Sequence, residues 1–217
     1  MAELKKTDKS TVRRVRERGQ YDRETLNQIV DDAMICHVAY IIDGAPYCTP
    51  TLVWREGDYV YWHGSSISRF LGSAIGAPVC LTVTHMDGLV LARSAFHHSA
   101  NYRSAMLFGH AEMVEEPHKS KALQTFVEGL IPGRWEDLRP MTPKEVGATT
   151  VLRMKIDEGA AKIRAGGPKD DRRDYELSIW AGVLPMKTTF AAPQPDPQNL
   201  DGVDMPEYIN TFIKDHS

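Results

Sequence analysis

Two serines and an arginine stand where a strand-like part of the chain gives way to a helix-like part. Residues 59–63 are aromatic, β-branched or histidine, as in a strand, and the pattern ends at Gly64. Ser65 and Ser68 then offer hydroxyls that favour a helix start, and Arg69 adds a positive charge. Because a helix start presents free N–H groups, this corner predicts an anion site, most naturally for a phosphate. Serines that only cap the helix are the alternative interpretation.

Histidines are the other residues that suggest chemistry, and the chain has 8 of them. His63 ends the strand beside the predicted anion corner, which makes it the candidate for a polar catalytic group. No HxH, HExxH or CxxC spacing places two metal ligands on one face, so we expect no dedicated metal site.

Other catalytic signatures do not occur in the sequence. There is no GxSxG elbow, no GxGxxG turn and no Walker loop. A dispersed set of cationic, hydroxyl and aromatic residues would instead suit an aromatic ligand that carries a phosphate. This set comprises Arg69, Arg103, Ser104, Lys162 and Arg164, with Tyr61, Trp62, Tyr102 and Trp180. Composition alone favours a simpler interpretation, in which the charges are solvated and the aromatic residues form core.

Composition narrows the class of protein. A length of 217 residues favours one domain, and the net charge of −3 gives no basic field for nucleic acid or a membrane surface. No apolar run approaches the ~20 residues of a membrane-spanning helix, and the start of the chain is not signal-like, so we expect a soluble cytoplasmic protein. Cys36, Cys48 and Cys80 lie in apolar segments and are expected to be buried thiols.

Short strands must position these residues. The expected strands are 34–42, 45–54, 59–63, 78–85, 89–94, 102–114 and 149–156, with turns at Asp43-Gly44 and at 86–88. Gly109 interrupts its strand where a bulge or a close backbone approach would fit. Helices are expected after residue 22, after Ser68, over 117–130 and near the C-terminus. The pattern predicts a small, mostly antiparallel β-barrel with α decorations.

The two ends of the chain differ from its middle. Residues 1–21 carry many charges and little apolar periodicity, which predicts a flexible arm or a segment packed only on a partner. Residues 162–174 are polar and glycine-rich, so we expect a surface loop there, and the proline-rich run 191–206 predicts an extended tail.

Several fragments, taken in order, resemble the FMN-binding split barrels related to pyridoxamine 5′-phosphate oxidase, especially their nitroimidazole-reductase-like branch. The fragments are Thr49-Pro50-Thr51-Leu52-Val53-Trp54, Tyr61-Trp62-His63-Gly64 with Ser68-Arg69, Tyr102-Arg103-Ser104 leading to Phe108-Gly109-His110-Ala111-Glu112, Lys162-Ile163-Arg164-Ala165-Gly166, and Trp180-Ala181-Gly182-Val183-Leu184-Pro185. Each fragment is short, and their order and spacing carry the resemblance.

This resemblance implies a six-stranded antiparallel Greek-key split β-barrel, mainly β with α decorations, that forms a homodimer with FMN at the interface. Residues 22–165 would be the flavin-binding domain, with 1–21 as an arm and 166–217 closing the cleft or the dimer interface. The residues implied to bind the flavin are Thr49, Thr51 and Leu52 along its ring or ribityl chain, His63 and Gly64 beside it, Ser68 and Arg69 at its phosphate, Arg103 and Ser104 on the long strand, and Arg164 and Trp180 over the cleft.

The implied function is that of an FMN-dependent oxidoreductase whose small organic substrate stacks on the flavin, with His63 as the catalytic polar group. Phe70 stands where the oxidase has a second basic residue, and the C-terminal substrate motif of the oxidase is not recognisable. We therefore do not expect oxidation of pyridoxamine phosphate. Two alternatives stay open: a flavin-binding or storage protein without turnover, and a haem-binding split barrel with His97 or His98 as the ligand.

Overall fold

A computed structural model describes residues 3–216. Those residues form eleven strands in two antiparallel sheets, together with five α-helices. The strands are β1 (Gly19–Gln20), β2 (Ile35–Ile42), β3 (Ala45–Leu52), β4 (Trp54–Glu56), β5 (Tyr59–Ser65), β6 (Pro78–Leu91), β7 (Ser99–His110), β8 (Glu112–Met113), β9 (Thr149–Lys155), β10 (Glu158–Arg164) and β11 (Gly182–Pro185). The helices are α1 (Arg23–Asp31), α2 (Arg69–Ala74), α3 (His118–Leu130), α4 (Pro143–Gly147) and α5 (Glu207–Asp215).

The larger sheet has seven strands in the order β1-β10-β7-β6-β2-β3, and β11 pairs with β6. Its β2–β3 hairpin turns at Asp43 and Gly44. Their φ angles of 50° and 78° are both positive, which is the requirement of a two-residue type I′ turn. The predicted turn is therefore confirmed. The smaller sheet has the order β4-β5-β9-β8.

One core fills the space between the two sheets. Alternate residues of β2, β6 and β7 pack there with α1 and with the inner face of β5 and β9, and Trp62 is completely buried among them. A second cluster lies on the other face of the small sheet, where Trp54, Tyr61 and Val151 pack against Phe126 of α3. The central strands β5 and β9 thus have buried residues on both faces, as in residues 60–62 and 151–152, whereas both residues of β8 are exposed.

The predicted fold class is confirmed in part. The molecule is mainly β with some helices, and its sheets are antiparallel. Within residues 3–216, however, the two sheets do not join into a closed barrel, and there are more strands than the predicted six. The extra strands include β10 and β11, whose polar or short sequences have little strand periodicity.

Two local predictions are wrong. The expected turn at residues 86–88 is instead a shift of register inside the long strand β6, whose pairing with β7 stops at Met86 and resumes at Gly88. Asp87, between them, accepts a hydrogen bond from Arg103 of β7. The expected surface loop begins too early, since Lys162, Ile163 and Arg164 belong to β10, where they pair with β7. Strand β10 pairs with β7 on one side and with the short strand β1 on the other.

Small residues and cysteines give a mixed outcome. A Cβ on Gly109 would lie 2.6 Å from Met154 Cγ, so Gly109 makes room for a side chain of β9, and the predicted bulge or close backbone approach does not occur there. Cys36 is buried, as predicted, and burial raises the pKa of its thiol to about 12. Cys48 is exposed and Cys80 half-buried, because both lie on the outer face of the large sheet, so for Cys48 the prediction is wrong.

Both ends of the described chain lie against its body. Leu4 is buried and its N–H donates to Tyr21 O over 2.9 Å, while β1 pairs with β10. At the other end, the Tyr208 hydroxyl of α5 donates to Asp137 over 2.7 Å. The division into three regions stays a prediction. Among the described residues, no helix has the length and apolar character needed to cross a membrane.

Candidate functional site

The strand-to-helix corner has the predicted form. β5 ends at Ser65, and Ser68 caps α2 by accepting a hydrogen bond from the Leu71 N–H at 3.5 Å. Arg69, the first residue of α2, is exposed and donates from Nη2 to the Tyr47 hydroxyl over 2.7 Å. Its guanidinium also lies over the Tyr47 ring, 5.1 Å from the centroid. Arg69 therefore adjoins β3 through Tyr47, and the phosphate-binding roles of Ser68 and Arg69 stay a prediction.

Arg69 has only neutral partners in the part of the chain that the structure describes. Those partners are the hydroxyl and the ring of Tyr47. An exposed guanidinium beside a neutral phenol keeps its full charge and free donors for a carboxylate or phosphate. The corner is thus electrostatically ready for an anion.

Strand β3 forms the wall next to this corner and is an edge strand of the large sheet. Thr49 and Thr51 lie opposite the buried Val38 and Cys36, so they share the inner face, and Thr49 Oγ1 lies 3.0 Å from the Tyr40 hydroxyl. Leu52 lies on the outer face and is 37% exposed. The three predicted flavin contacts therefore line both sides of one edge strand.

His63 and Gly64 are neighbours in β5 and point to opposite faces. A Cβ on Gly64 would lie 3.1 Å from Leu71, so that face meets α2. His63 instead packs on Phe126 and Trp54, with ring centroids 4.6 Å and 5.8 Å away. Burial lowers the pKa of His63, and its Nδ1 has no partner among the described residues. The structure does not bring His63 to the Arg69 corner, and its catalytic role stays a prediction.

Arg103 and Ser104 are also adjacent in a strand and face opposite ways. Arg103 donates from Nη2 to Asp87 over 3.1 Å and from Nη1 to Asp32, and these bonds, chiefly those to Asp87, raise the pKa of the guanidinium. Ser104 donates to the Lys162 carbonyl over 3.2 Å. The structure therefore does not bring the two predicted residues together: Arg103 is ion-paired to Asp32 and Asp87, and Ser104 faces the other side of the strand.

Arg164 and Trp180 have different surroundings. Arg164 is 8% exposed, donates to the carbonyls of Gly166 and Gly167 over 3.0 Å and 3.1 Å, and also bonds Asn101. Burial lowers the pKa of Arg164, which here supports a glycine turn. Trp180 is 70% exposed and its ring lies beside Gly182. Of these two residues, Trp180 is the one that presents an exposed flat surface to a ligand or partner.

A cavity that the sequence analysis missed lies between the body and the C-terminal segment. We call it the C-terminal cavity; its volume is about 820 Å³. Its walls come from the α1–β2 connection, β4, the middle of β6, Arg103 of β7, the end of α3, and residues 186–189 with α5. Met34, Met86 and Met186 all line it. They are far apart in the sequence, so the sequence alone gives no sign that the three methionines share one cavity. Within residues 3–216, no group of three or more His, Cys, Asp or Glu residues is arranged to hold a metal ion.

Comparison with known proteins decides the family. The family model for pyridoxamine 5′-phosphate oxidase matches residues 22–163. The chain belongs to this family. The predicted resemblance is therefore confirmed.

The flavocytochrome Anf3 from Azotobacter vinelandii is 46% identical over 94% of this chain and 96% of its own, with a TM-score of 0.91. An FAD- and haem-binding protein from Mycobacterium smegmatis is 36% identical over 90% of this chain and 97% of its own, with a TM-score of 0.87. A proposed 5-nitroimidazole antibiotic resistance protein from Bacteroides thetaiotaomicron, at 23% identity and a TM-score of 0.55, covers 67% of this chain and 86% of its own and shares the fold. No curated protein matches the chain.

Proposed function

We propose that this chain is a flavin-binding redox protein. The observation that carries the proposal is the Arg69 corner, where an exposed guanidinium with neutral partners stands at a helix start beside an edge strand. A flavin cofactor joins a flat ring system to a phosphate, which matches this combination of charge, free N–H groups and strand edge. The similarity to a flavocytochrome and to an FAD- and haem-binding protein supports the same assignment.

The residues fit a flavin in a definite order. Arg69 and the first N–H groups of α2 would bind the phosphate, and Thr49 and Thr51 offer hydroxyls along the neighbouring strand. Leu52 offers an apolar surface for the ring. The bound flavin would supply the electron-transfer chemistry, and the chain would position it and exclude water.

FMN remains the cofactor that we propose from the sequence resemblance, and FAD is its alternative. The Mycobacterium protein binds FAD by name. Both flavins contain the phosphate that Arg69 would bind, so the corner serves either one. Mass spectrometry of the ligand released by heat from purified protein identifies which is present, and protein that carries no flavin and takes up neither would overturn the proposal.

A homodimer with the flavin at its interface is part of this proposal. The outer face of the large sheet supports it, because Ile35 and Ile41 of β2 are 54% and 57% exposed and Met106 of β7 is 45% exposed. Apolar patches of this kind commonly mark protein interfaces. A monomer in light scattering at micromolar concentration would contradict this part.

Turnover separates the oxidoreductase from a flavin-storage protein. We propose an oxidoreductase acting on a small organic substrate in the cytoplasm, because the ring would lie on an exposed strand edge that a substrate can reach. Rapid bleaching of the flavin by NADH or NADPH, followed by reoxidation with an added nitroaromatic acceptor, supports turnover. A flavin that neither donor reduces would favour storage.

Haem binding is the second candidate function. It is favoured by the two most extensive similarities described above, since one of those proteins is a flavocytochrome and the other binds haem by name. The predicted ligands are His97, whose Nε2 lies 3.7 Å from Asp171, and His98, whose Nδ1 lies 2.9 Å from the Ser94 carbonyl. A Soret band after titration with haemin would support this function, and its absence would exclude it.

A further inference from the structure

The C-terminal cavity is separate from the Arg69 corner, since none of Thr49, Thr51, Ser68 and Arg69 lines it. We propose that this cavity is a second ligand site and that it binds a small zwitterion, a molecule with an ammonium group, a carboxylate and an apolar body. The proposal goes beyond the flavin function and does not depend on it.

The cavity has the size and the apolar surface for such a molecule. Its volume of about 820 Å³ lies within the ~300–1,000 Å³ of typical small-molecule sites. Six large apolar side chains contribute to its wall, namely Trp54, Phe126, Phe212, Met34, Met86 and Met186. Methionine is flexible and polarizable, so this part of the wall can adapt to the apolar body of a ligand.

Charged side chains of both signs share the same wall. The carboxylates are Asp31, Asp32 and Asp87, and the cations are Arg55, Arg103 and Lys187. Their formal charges cancel, so the wall as a whole does not select a cation or an anion. The arrangement of the charges within the cavity therefore decides which ligand fits.

One pair of these charges is closed. Arg55 donates from Nε and Nη2 to the two carboxylate oxygens of Asp31, over 2.7 Å and 2.5 Å. A bidentate pair of this kind uses both oxygens of the carboxylate and satisfies the guanidinium that holds it. Arg55 and Asp31 thus have little to offer a ligand.

The group around Arg103 leaves one negative charge in excess. Arg103 donates to Asp87 over 3.1 Å and also to Asp32, so two carboxylates share one guanidinium. The bond to Asp32 goes to Oδ2, and Oδ1 of Asp32 accepts no hydrogen bond from residues 3–216. An ammonium group on a ligand would bind that free oxygen and supply the missing positive charge.

Lys187 carries the complementary charge. It is exposed, lines the cavity and makes no ion pair in the described part of the chain. The residue before it lies beside the carboxylates, because the Met186 N–H donates to the Asp87 carbonyl over 3.0 Å. An unpaired ammonium group and an excess carboxylate therefore border one cavity without neutralising each other. A zwitterion would bridge them, with its carboxylate at Lys187 and its ammonium group at Asp32.

Trp54 adds an unpaired donor to the wall. It is only 7% exposed, and its Nε1 has no acceptor among the described residues. Buried N–H groups normally have partners, because leaving one unpaired costs stability. A ligand carboxylate offers an acceptor to this N–H, which a simple amine does not. Trp54 therefore favours a zwitterion over a purely cationic ligand.

The test measures the binding of charge-matched probes to the purified full chain by isothermal titration calorimetry. L-phenylalanine and para-(aminomethyl)benzoate are two zwitterions that differ in the separation of their charges. Phenethylamine and benzylamine lack the carboxylate, and hydrocinnamate and para-toluate lack the ammonium group. We expect at least one zwitterion to bind about tenfold or more tightly than either of its single-charge analogues, since each analogue loses a charge-assisted hydrogen bond.

Two variants assign the charges to residues. We expect D32N to weaken binding of the zwitterion and of its amine analogue, and K187A to weaken binding of the zwitterion and of its carboxylate analogue, each about fivefold or more. K144A is the matched control, because Lys144 is an exposed lysine outside the cavity. Far-UV circular dichroism and flavin content, measured on the same samples, report folding. If D32N does not fold, K187A decides, because Lys187 is exposed.

The outcomes separate this site from the proposed function. A wild-type chain that binds neither zwitterion, or that binds the single-charge analogues equally well, would overturn the site. Zwitterion binding that K187A leaves at the level of K144A would overturn it too. A chain that binds the zwitterion as expected but takes up no flavin would overturn the flavin proposal and leave this site intact.

Discussion

Two arginine-containing regions of the molecule differ in what neutralises their charge. Arg69 stands at the start of α2, and within residues 3–216 its partners are only the hydroxyl and ring of Tyr47. Arg103 lies in the middle of β7 and is bound by two carboxylates, those of Asp32 and Asp87. Both were candidates for the same flavin site on sequence alone. Their partners differ in charge, and the variants below test whether their tasks differ.

The charge of an arginine's partners distinguishes a guanidinium that can bind an anion from one that stabilises the fold. A guanidinium with neutral partners must obtain its counter-charge from solvent or from a ligand, so a bound anion gains most of the interaction. A guanidinium already held by two carboxylates has little left to offer, and removing it leaves two negative charges side by side. The Arg69 corner should therefore respond to mutation in affinity, and the Arg103 cluster in stability.

The largest effect is expected for Arg69→Ala. Loss of one charge-assisted contact of ~1.5–3 kcal/mol weakens flavin binding about 10- to 100-fold. The free energy of unfolding should change by less than ~0.5 kcal/mol, because the side chain is exposed. Fluorescence titration of flavin-free protein measures the affinity, and urea unfolding measures the stability. Equal losses in both would remove the distinction between the two regions.

Arg103→Ala should show the opposite pattern. It deletes the bonds to Asp32 and Asp87, and we expect a loss of ~1–2 kcal/mol in the free energy of unfolding, discounted because the side chain is one-third exposed. Flavin affinity should stay within about twofold of the wild type. Urea unfolding of flavin-free protein provides the measurement, with the double variant R103A/D87A as its matched control. A tenfold loss of flavin affinity in R103A would return Arg103 to the flavin site.

Strand alternation shows how far the sequence could predict the site. Arg103 and Ser104 are adjacent in a strand, as are His63 and Gly64, and neighbours in a strand must face opposite ways. That rule alone shows that each pair is split, although it does not tell which member faces the flavin. The carboxylates of Asp32 and Asp87 come from other parts of the chain, and only the three-dimensional structure shows that they reach Arg103.

The fold was predictable where local signals are strong. The Asp43-Gly44 hairpin and the junction between β5 and α2 are encoded in turn and capping residues that act within a few positions. Strand β10 was missed because its polar residues pair with β7 and β1, which are distant in sequence. The C-terminal cavity was missed for the same reason, since its walls come from seven separate parts of the chain.

A third prediction concerns the pH dependence of stability and tests which region His63 belongs to. Burial lowers the pKa of His63 below its ordinary 6.5, so the unfolded chain takes up the proton first as the pH falls. The stability that neutral His63 provides is complete above about pH 6.5 and is lost as the pH falls toward the lower folded-state pKa. Urea unfolding from about pH 8 to about pH 5 should show a weaker slope in His63→Gln than in the wild type. An unchanged slope, together with altered flavin affinity, would place His63 at the flavin instead.

The smallest effect is expected for Tyr47→Phe, which alters the Arg69 corner without changing its charge. The variant removes the hydroxyl that accepts from Arg69 at 2.7 Å and keeps the ring beneath the guanidinium. If Tyr47 only positions a cation whose main partner is the flavin phosphate, affinity should fall no more than about fivefold, since a neutral hydrogen bond contributes ~1 kcal/mol or less. Tyr47→Ala also deletes the ring and should cost more. A loss in Tyr47→Phe as large as that of Arg69→Ala would mean that the hydroxyl itself binds the flavin, and that the charge of Arg69 is not what distinguishes this corner from the Arg103 cluster.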